Sequence, residues 1–370
     1  MMQWHPGPIP APDPPMTLDP LETPRMAGAL EQWFGTEARD LPWRSQRSGY
    51  HALVSEAMLQ QTQVSRVVGS FTRFIERFPT VEALAEADEQ DVLALWQGLG
   101  YYRRARNLHA AARMVVQEFG AQVPDRVEDL LKLPGVGRYT AGAISSIVSN
   151  HRVPIVDGNV ARVLSRLTRQ DGRPGERAFD SWCWSQSELM VSHAKEPGVL
   201  NESMMELGAT VCTKHAPSCD RCPVSSQCRA AVAGDVDRYP TPKARPVRTV
   251  VHHHALVLTR TRRKTPEVFL QQRPDTGLWA RMWQPPTLET DRLMSIDELG
   301  SRWKLHPGSM DRSLEFKHRT THRDVCFHVH VTSERPGTRI RGRWLAASGL
   351  VDIPIANPHA KMIRTLAPAG

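Results

Sequence analysis

Four cysteines within seventeen residues constrain this chain more than any other feature. Cys212, Cys219, Cys222 and Cys228 follow the spacing C-x6-C-x2-C-x5-C. Four thiolates so close in sequence can enclose one metal centre. Zinc accepts four sulfurs, and so does a [4Fe–4S] cluster. Common zinc sites use two tight cysteine pairs, and here only Cys219 and Cys222 form one. That spacing favours iron–sulfur and leaves zinc open. The segment at the N-terminus lacks the apolar core of a secretory signal, so the clustered cysteines read as metal ligands, not disulfides. Cys183 and Cys326, the remaining two of six, stand apart. Lys214, His215, Arg221 and Arg229 flank the cysteines, and a rigid loop carrying such cations can grip phosphate.

The rest of the chain divides by pattern. A length of 370 residues predicts two domains. Prolines at 6, 8, 10, 12, 14 and 15 predict an extended or disordered tail over 1–24. A helix-rich region covers 25–233. Within it, Leu108, Ala111, Ala112, Val115, Val116 and Phe119 fall at helical spacing, with Gly120 as a stop. Val160, Val163, Leu164 and Leu167 mark another helix. Gly234, Pro240, Pro242 and Pro246 make 234–247 an interdomain linker. From 248 to 370 the pattern turns to strands. Val325, Phe327, Val329 and Val331 alternate with polar partners, the period of a half-buried strand. Further strands are expected at 255–258 and 268–270, and a final helix at about 359–366. The histidines at 252, 253, 254, 328 and 330 read as strand residues, since three in succession cannot all face one way. No stretch approaches the length of a membrane span. The net charge of +8 admits a polyanionic partner, of which nucleic acid is the commonest.

Leu133-Pro134-Gly135-Val136-Gly137 lies between two helical patterns. Gly135 and Gly137 permit a tight turn and close approach by a ligand. The second helix then offers its unpaired N-terminal amides to a phosphate. This is the logic of a helix–hairpin–helix DNA clamp.

Two carboxylates carry candidate chemistry. In Ser55-Glu56-Ala57-Met58-Leu59-Gln60-Gln61-Thr62-Gln63, the residues Glu56, Gln60 and Gln63 are expected on one helical face. Amides there suit polar reading of a ligand, because each both donates and accepts. Asp157, before Gly158-Asn159, is expected to cap the following helix, whose terminus helps keep a carboxylate ionised. Glycoside hydrolysis uses one protonated carboxyl and one anion around an oxocarbenium-like centre.

With these residues together, the chain closely resembles the MutY family of adenine-specific DNA glycosylases, which act opposite 8-oxoguanine. The resemblance rests on Leu41-Pro42-Trp43-Arg44, the Glu56 segment, Gly98-Leu99-Gly100-Tyr101-Tyr102, the hairpin, Val156-Asp157-Gly158-Asn159-Val160, Met204-Met205-Glu206-Leu207-Gly208 and the four cysteines. It is strong over about 30–233. It implies a [4Fe–4S] cluster on Cys212, Cys219, Cys222 and Cys228. It implies that Glu56 protonates adenine at N7 and that Asp157 stabilises the sugar cation. Tyr139 matches a tyrosine that some relatives place beside these carboxylates, and Asn159 matches an asparagine that helps position the catalytic groups. Arg44, Leu59 and Glu206 match positions near the extruded adenine, and Gln61 and Tyr101 match residues that probe the opposite base. Endonuclease III-like enzymes, the nearest rival, place a nucleophilic lysine where this chain has Tyr139, so base removal without efficient strand cleavage is expected. Some relatives carry a lysine at the position of Ala161, so even weak crosslinking to the sugar is expected to be reduced. A non-catalytic DNA-binding module needs neither carboxylate.

Gln271-Gln272-Arg273-Pro274, Gly277-Leu278-Trp279 and Trp283-Gln284-Pro285-Pro286 resemble the Nudix-like domain of the same family. The stretch 287–304 holds Glu289, Asp291, Asp297 and Glu298 without the Arg-Glu-x2-Glu-Glu core of a hydrolytic Nudix domain, so binding without pyrophosphatase activity is expected. Thr321 and His322 fall where the family places a Phe-Ser-His turn on 8-oxoguanine, with Thr320 replacing the aromatic residue. The expectation is therefore a multidomain protein: an all-α helix–hairpin–helix glycosylase domain with an iron–sulfur loop, then an α+β Nudix-like domain. Its partner is double-stranded DNA with A:8-oxoguanine or A:G mispairs. The protein is expected to be monomeric and to work in the bacterial cytoplasm, at the nucleoid.

Overall fold

The computed structural model describes residues 16–242, 247–346, 349–350 and 353–366, apart from the side chains of 307, 312 and 313. The expected tail up to residue 15 and the linker residues 243–246 lie outside the described residues. Residues 16–24 are not a free tail. Leu18 is buried, its N–H donates to Gln186 Oε1 at 2.7 Å, and Thr23 opens the helix Thr23–Glu37.

The chain separates into two compact units. Of the described residues, one unit comprises 16–52, 125–132 and 136–242, and the other 53–124, 133–135 and those from 247 onward. The last break falls within the expected linker, and the division also splits the helical region of 25–233. Residues 53–124 belong with the C-terminal region because polar contacts bind them there. Arg281 pairs with Glu89 at 3.0 Å, Arg106 donates to Ala280 O at 2.9 Å, and Gln97 donates to Ile355 O at 3.3 Å.

The first unit is helical. Its core packs Leu30, Leu164, Leu200 and Leu207 from the helices Thr23–Glu37, Gly158–Thr168 and Pro197–Thr210. Burying each such side chain stabilises by about 1.5–3 kcal/mol. The start of the expected linker joins this core. Tyr239 is buried, and Arg166 Nε donates to Val236 O and Tyr239 O at 3.0 and 3.1 Å.

The second unit combines helices with a sheet. The helix read after Asn107 spans Arg103–Glu118 and buries Ala105, Leu108, Ala111, Ala112 and Val115. Gly120 follows in the left-handed region at φ +59°, as a stop requires. The strands are β1 (Thr249–Arg262), β2 (Thr265–Gln272), β3 (Trp283–Gln284), β4 (Thr287–Thr290), β5 (Asp311–Arg319), β6 (Arg323–Thr332) and β7 (Arg343–Ala346). They pair in the order β3-β2-β1-β6-β5, with β4 also on β1 and β7 on β2. β1 and β6 run parallel. The helix Asn357–Leu366 contributes Ala360, Met362 and Ile363 to one apolar cluster of the sheet. The helix Ile296–Trp303 contributes Leu299 and Trp303 to another.

β6 departs from the half-buried strand expected of its alternation, for it is buried on both faces. His328 and His330 lie inside. They form part of an imidazole stack: His328 lies against His252 and His254, with ring centroids 5.2 and 5.0 Å apart, and His330 lies 6.2 Å from His254. His253 points to the opposite face, against Phe327. The alternation marked two different buried layers, not an inside and an outside.

Candidate active site and base-reading pocket

Glu56 sits on the helix Gly49–Leu59 and is buried, 7% exposed. That helix stops before the glutamines finish. Gln61 takes a left-handed φ of +57°, and Gln63 instead caps the next helix, Val64–Arg77. Glu56, Gln60 and Gln63 therefore do not share one continuous helical face. The break is held by a residue sequence reasoning missed. Arg104 Nη1 donates to Ala57 O and Met58 O, both at 2.8 Å, which satisfies carbonyls of the last helical turn. Its Nη2 donates to Thr62 Oγ1 at 3.0 Å and to Leu99 O and Gly100 O at 3.1 and 3.2 Å. Burial lowers the Arg104 pKa to about 10. One guanidinium thus fixes both Gln61 and Tyr101, itself left-handed at φ +47°. The signal available was one of three arginines, Arg103, Arg104 and Arg106, that follow Gly98-Leu99-Gly100.

Gln61, Tyr101 and Thr321 meet in one pocket of the second unit, with a cavity of about 540 Å³ that Trp279 and His318 also line. The Tyr101 and Thr321 hydroxyls lie 2.9 Å apart. Thr321 stands at the tip of the β5–β6 hairpin, closed by Thr320 N donating to Arg323 O at 2.8 Å. His322 shares the tip and is exposed, but its side chain does not line the pocket. Leu59 is half-buried at the end of the Glu56 helix and also does not line it.

The hairpin glycines separate in role. Gly135 takes φ +81°, and a Cβ there would fall 2.7 Å from Asn107 Cβ, so no larger residue fits. Gly137 is the exposed N-cap of the helix Arg138–Ser149, with φ −102°. Its value is access to the helix N-terminus.

In the first unit, Asp157 caps the helix Gly158–Thr168 as expected. Its Oδ1 accepts from Asn159 N at 2.8 Å and Val160 N at 2.7 Å, and its Oδ2 accepts from Asn159 Nδ2 at 2.9 Å. Burial raises the Asp157 pKa; the two backbone amides of the helix terminus, the Asn159 amide and the Arg162 charge each lower it, as the cap was expected to, but together by less than burial raises it. Arg162 extends the array, donating to Asn159 Oδ1 at 2.8 Å, to Gly208 O at 2.7 Å and to Cys212 O at 2.8 Å. Tyr139, half-buried on the first turn after the hairpin, donates its hydroxyl to Met205 Sδ at 3.1 Å. Asp157, Asn159 and Tyr139 belong to one unit and Glu56 to the other.

Arg44 and Glu206 are brought together, but with each other. Glu206 is almost fully buried and accepts from Arg39 Nε at 2.6 Å, Arg39 Nη2 at 2.9 Å and Arg44 Nη2 at 3.0 Å. Arg44 Nε also pairs with Glu202 at 3.0 Å, and Arg47 with Glu202 at 2.6 Å. Burial raises the Glu206 pKa, yet Arg39 and Arg44 outweigh it and leave the carboxyl below its usual range.

Cys212, Cys219 and Cys222 are half-buried and Cys228 buried, with two short 3-10 turns, Cys219–Arg221 and Ser225–Gln227, between them. Cys212 and Cys222 pack on the first unit's core. Burial raises the thiol pKa of Cys219, of Cys228 and of Cys222, the last to about 12, and the charges of the other cysteines add to each. Among the described residues no three His, Cys, Asp or Glu side chains are arranged to hold a single metal ion. The donor set, four cysteine sulfurs close in sequence with Arg166 Nη1 donating to Cys212 Sγ at 3.3 Å, has the chemistry that an iron–sulfur cluster takes.

Glu289 and Glu298, two of the four acidic residues of 287–304, are engaged elsewhere. Glu298 forms a capping box with Ser295 and pairs with Arg292. Glu289 pairs with Arg273 at 2.6 Å. Among the described residues, no helix is long and apolar enough to cross a membrane.

Residues 54–186 match the HhH-GPD superfamily base excision DNA repair protein family, and 255–365 match the NUDIX domain. The chain is 33% identical to the adenine DNA glycosylase of Homo sapiens, covering 94% of this chain and 74% of that one. It is 29% identical to that of Buchnera aphidicola subsp. Schizaphis graminum, covering 90% and 95%. Its fold resembles that of a thermostable thymine-DNA glycosylase at a TM-score of 0.51 and 24% identity, over 58% of this chain and 98% of that one. The expected fold class, a helical helix–hairpin–helix region followed by a Nudix-like domain, is thereby met.

Proposed function

Because the chain belongs to the adenine DNA glycosylases of base excision repair, we propose that it hydrolyses the N-glycosidic bond of adenine paired with 8-oxoguanine or guanine in double-stranded DNA. Asp157 carries this reading. Both its oxygens are already oriented by three N–H donors, so an anion can meet a developing sugar cation without reorganisation. Glu56 supplies the proton to adenine N7 from a buried position on its helix. The C1′–N9 bond then breaks, adenine leaves with that proton, and water adds to C1′, its released proton returning to the Glu56 carboxylate. Positive charge growing on the sugar draws the Asp157 carboxyl toward its ionised form. Asn159 and Tyr139 hold the geometry.

The pocket of Gln61, Tyr101 and Thr321 supports recognition of the opposite base, with Tyr101 49% exposed and able to wedge into a stack. His322 flanks it from the hairpin tip. Arg44 and Glu206 support the adenine side through the arrangement they hold, and Leu59 by apolar contact. Gly135 and Gly137 present the hairpin to phosphate. Cys212, Cys219, Cys222 and Cys228 would hold a [4Fe–4S] cluster. Such a group supplies a rigid cross-link to the loop, whose cations then face DNA. The protein acts as a monomer, in the cytoplasm at the nucleoid.

The test is a duplex with one adenine opposite 8-oxoguanine. Free adenine, an alkali-labile but uncut strand and loss of activity in Glu56→Gln are expected. No adenine, or an undiminished rate in Glu56→Gln, refutes the assignment. Strand cutting without alkali would favour the endonuclease III-like alternative, against which Tyr139 stands in place of the lysine. A broad visible absorbance and about four irons per chain are expected for the cluster.

A further inference from the structure

The loop between β2 and β3 contains two non-glycine residues in the left-handed region, Trp279 at φ +55° and Arg281 at φ +64°. For a bulky residue that conformation is an outlier, and it persists only where the surroundings hold it. Hydrogen bonds close the loop on itself. Arg273 N donates to Met282 O at 2.9 Å, Arg281 N to Pro274 O at 3.0 Å, and Met282 N to Trp279 O at 3.2 Å. Ala280, between the two left-handed residues, is buried. Its carbonyl accepts from Arg106 Nη1 at 2.9 Å, a donor on the helix Arg103–Glu118. A buried carbonyl that loses such a partner bears its full desolvation cost.

The strained loop places one side chain. The Trp279 indole lies against Phe327, with ring centroids 6.1 Å apart and planes at 29°, and meets His359 edge-on at 4.9 Å. It packs on the apolar cluster of the sheet, yet it is only half-buried. With Tyr101 and Thr321 it lines the cavity of about 540 Å³. Residues two apart on a helix point about 200° from each other, so Arg104 and Arg106 reach different partners. Arg104 fixes Gln61 and Tyr101, and Arg106 fixes the backbone beside Trp279. We propose that Arg106 is a positioning residue for reading the base opposite adenine: through the Ala280 carbonyl it holds Trp279 as an aromatic wall of the pocket. One helix then sets two walls at once. Every base has a π-face, so an indole wall contributes affinity for a base that enters, whatever its edge. The proposal rests on the reading of this pocket as the opposite-base site.

The test is a double-variant cycle on the full chain, with duplex affinity and single-turnover adenine release measured separately. Affinity is read on an A:8-oxoguanine duplex whose adenosine carries a 2′-fluorine and so resists excision, and on a fully paired duplex. Trp279→Leu and Arg106→Met are each expected to weaken binding of the first duplex about tenfold, the scale of one lost stacking contact. The fully paired duplex is expected to weaken by less than roughly twofold, because its bases stay in the helix. Adenine release at saturating protein is expected to fall less than the affinity. Adding Arg106→Met to Trp279→Leu is expected to change affinity by less than roughly twofold, the signature of acting through one group. Arg106→Lys, whose ammonium donates to the same carbonyl, is expected to recover most of the affinity. Equal weakening of both duplexes would make Arg106 a phosphate contact and overturn the proposal. Multiplying effects of the two substitutions, or undiminished affinity in Arg106→Met, would also overturn it. Should Arg106→Met fold poorly, Trp279→Leu decides, since it leaves the loop's backbone bonds in place: undiminished affinity for the A:8-oxoguanine duplex overturns the proposal. A wild-type chain that releases no adenine would instead refute the glycosylase reading itself.

Discussion

Arg162 Nη2 lies 2.8 Å from Asn159 Oδ1, and this contact decides which way the Asn159 amide faces. An amide has an acceptor on one side and a donor on the other. With its oxygen held by Arg162, Asn159 must turn its NH2 to Asp157 Oδ2, as the 2.9 Å separation shows. The same guanidinium donates to the Cys212 carbonyl, so the cysteine loop and the carboxylate share one brace. Arg162→Met removes the brace and frees the amide to flip. Single-turnover adenine release is expected to fall by about ten- to a hundredfold, the range for a hydrogen bond involving a charged group. A rate within experimental error of the wild type would show that Asn159 needs no such hold.

The raised pKa of Asp157 fixes the sign of the pH response. The protonated form is favoured by burial, while the reaction needs the anion. Activity should therefore fall as pH drops through the raised pKa, with the acid limb above the ordinary aspartate value of 3.8. Asn159→Ala removes a donor that lowers the pKa, so its acid limb should move to higher pH. Rate profiles of both forms test this. An acid limb that stays in place, or moves to lower pH, would contradict the assigned cause.

Arg104 offers a different kind of test, because it holds Gln61 and Tyr101 without lining the chemistry at Glu56 or Asp157. Arg104→Met removes its donors to Ala57, Met58, Thr62, Leu99 and Gly100. The two left-handed residues then lose the contacts that offset their strain, which costs about 1–3 kcal/mol each. The expected outcome is a smaller preference for 8-oxoguanine over guanine opposite adenine, with a lower melting temperature. Equal loss of rate on both duplexes would place Arg104 in general stability alone.

The legibility of the site followed the range of each interaction. Asp157 as an N-cap and Gly135 as a left-handed turn are local and were readable from neighbouring residues. So was the Arg103–Glu118 helix, whose apolar spacing is a property of the segment. The glutamine face failed because the helix ends on a capping contact from Arg104, more than forty residues away in sequence. The strand alternation in β6 showed period but not burial, since only the helix packed above decides whether His330 is inside. The pairing of Glu206 with Arg39 and Arg44 was not readable, because those partners lie more than 160 positions earlier.

Glu206 therefore separates two roles that a sequence match merges. If it holds Arg39 and Arg44 in place, Glu206→Gln leaves two guanidinium groups without their counter-charge. Breaking a buried pair costs about 3–5 kcal/mol, and the partial exposure of Arg39 puts the expected loss at the lower end. The pH sign follows from its depressed pKa. The stabilisation is fully present above the ordinary glutamate value of 4.5 and is lost as pH falls through the depressed folded value. Wild type should thus lose stability on acidification below that ordinary value, and Glu206→Gln should lose less over the same range. Denaturant unfolding of both forms across that window measures it. If Glu206→Gln slows adenine release while its unfolding curve matches the wild type at every pH, the carboxylate serves the extruded base directly and the ion-pair role is wrong.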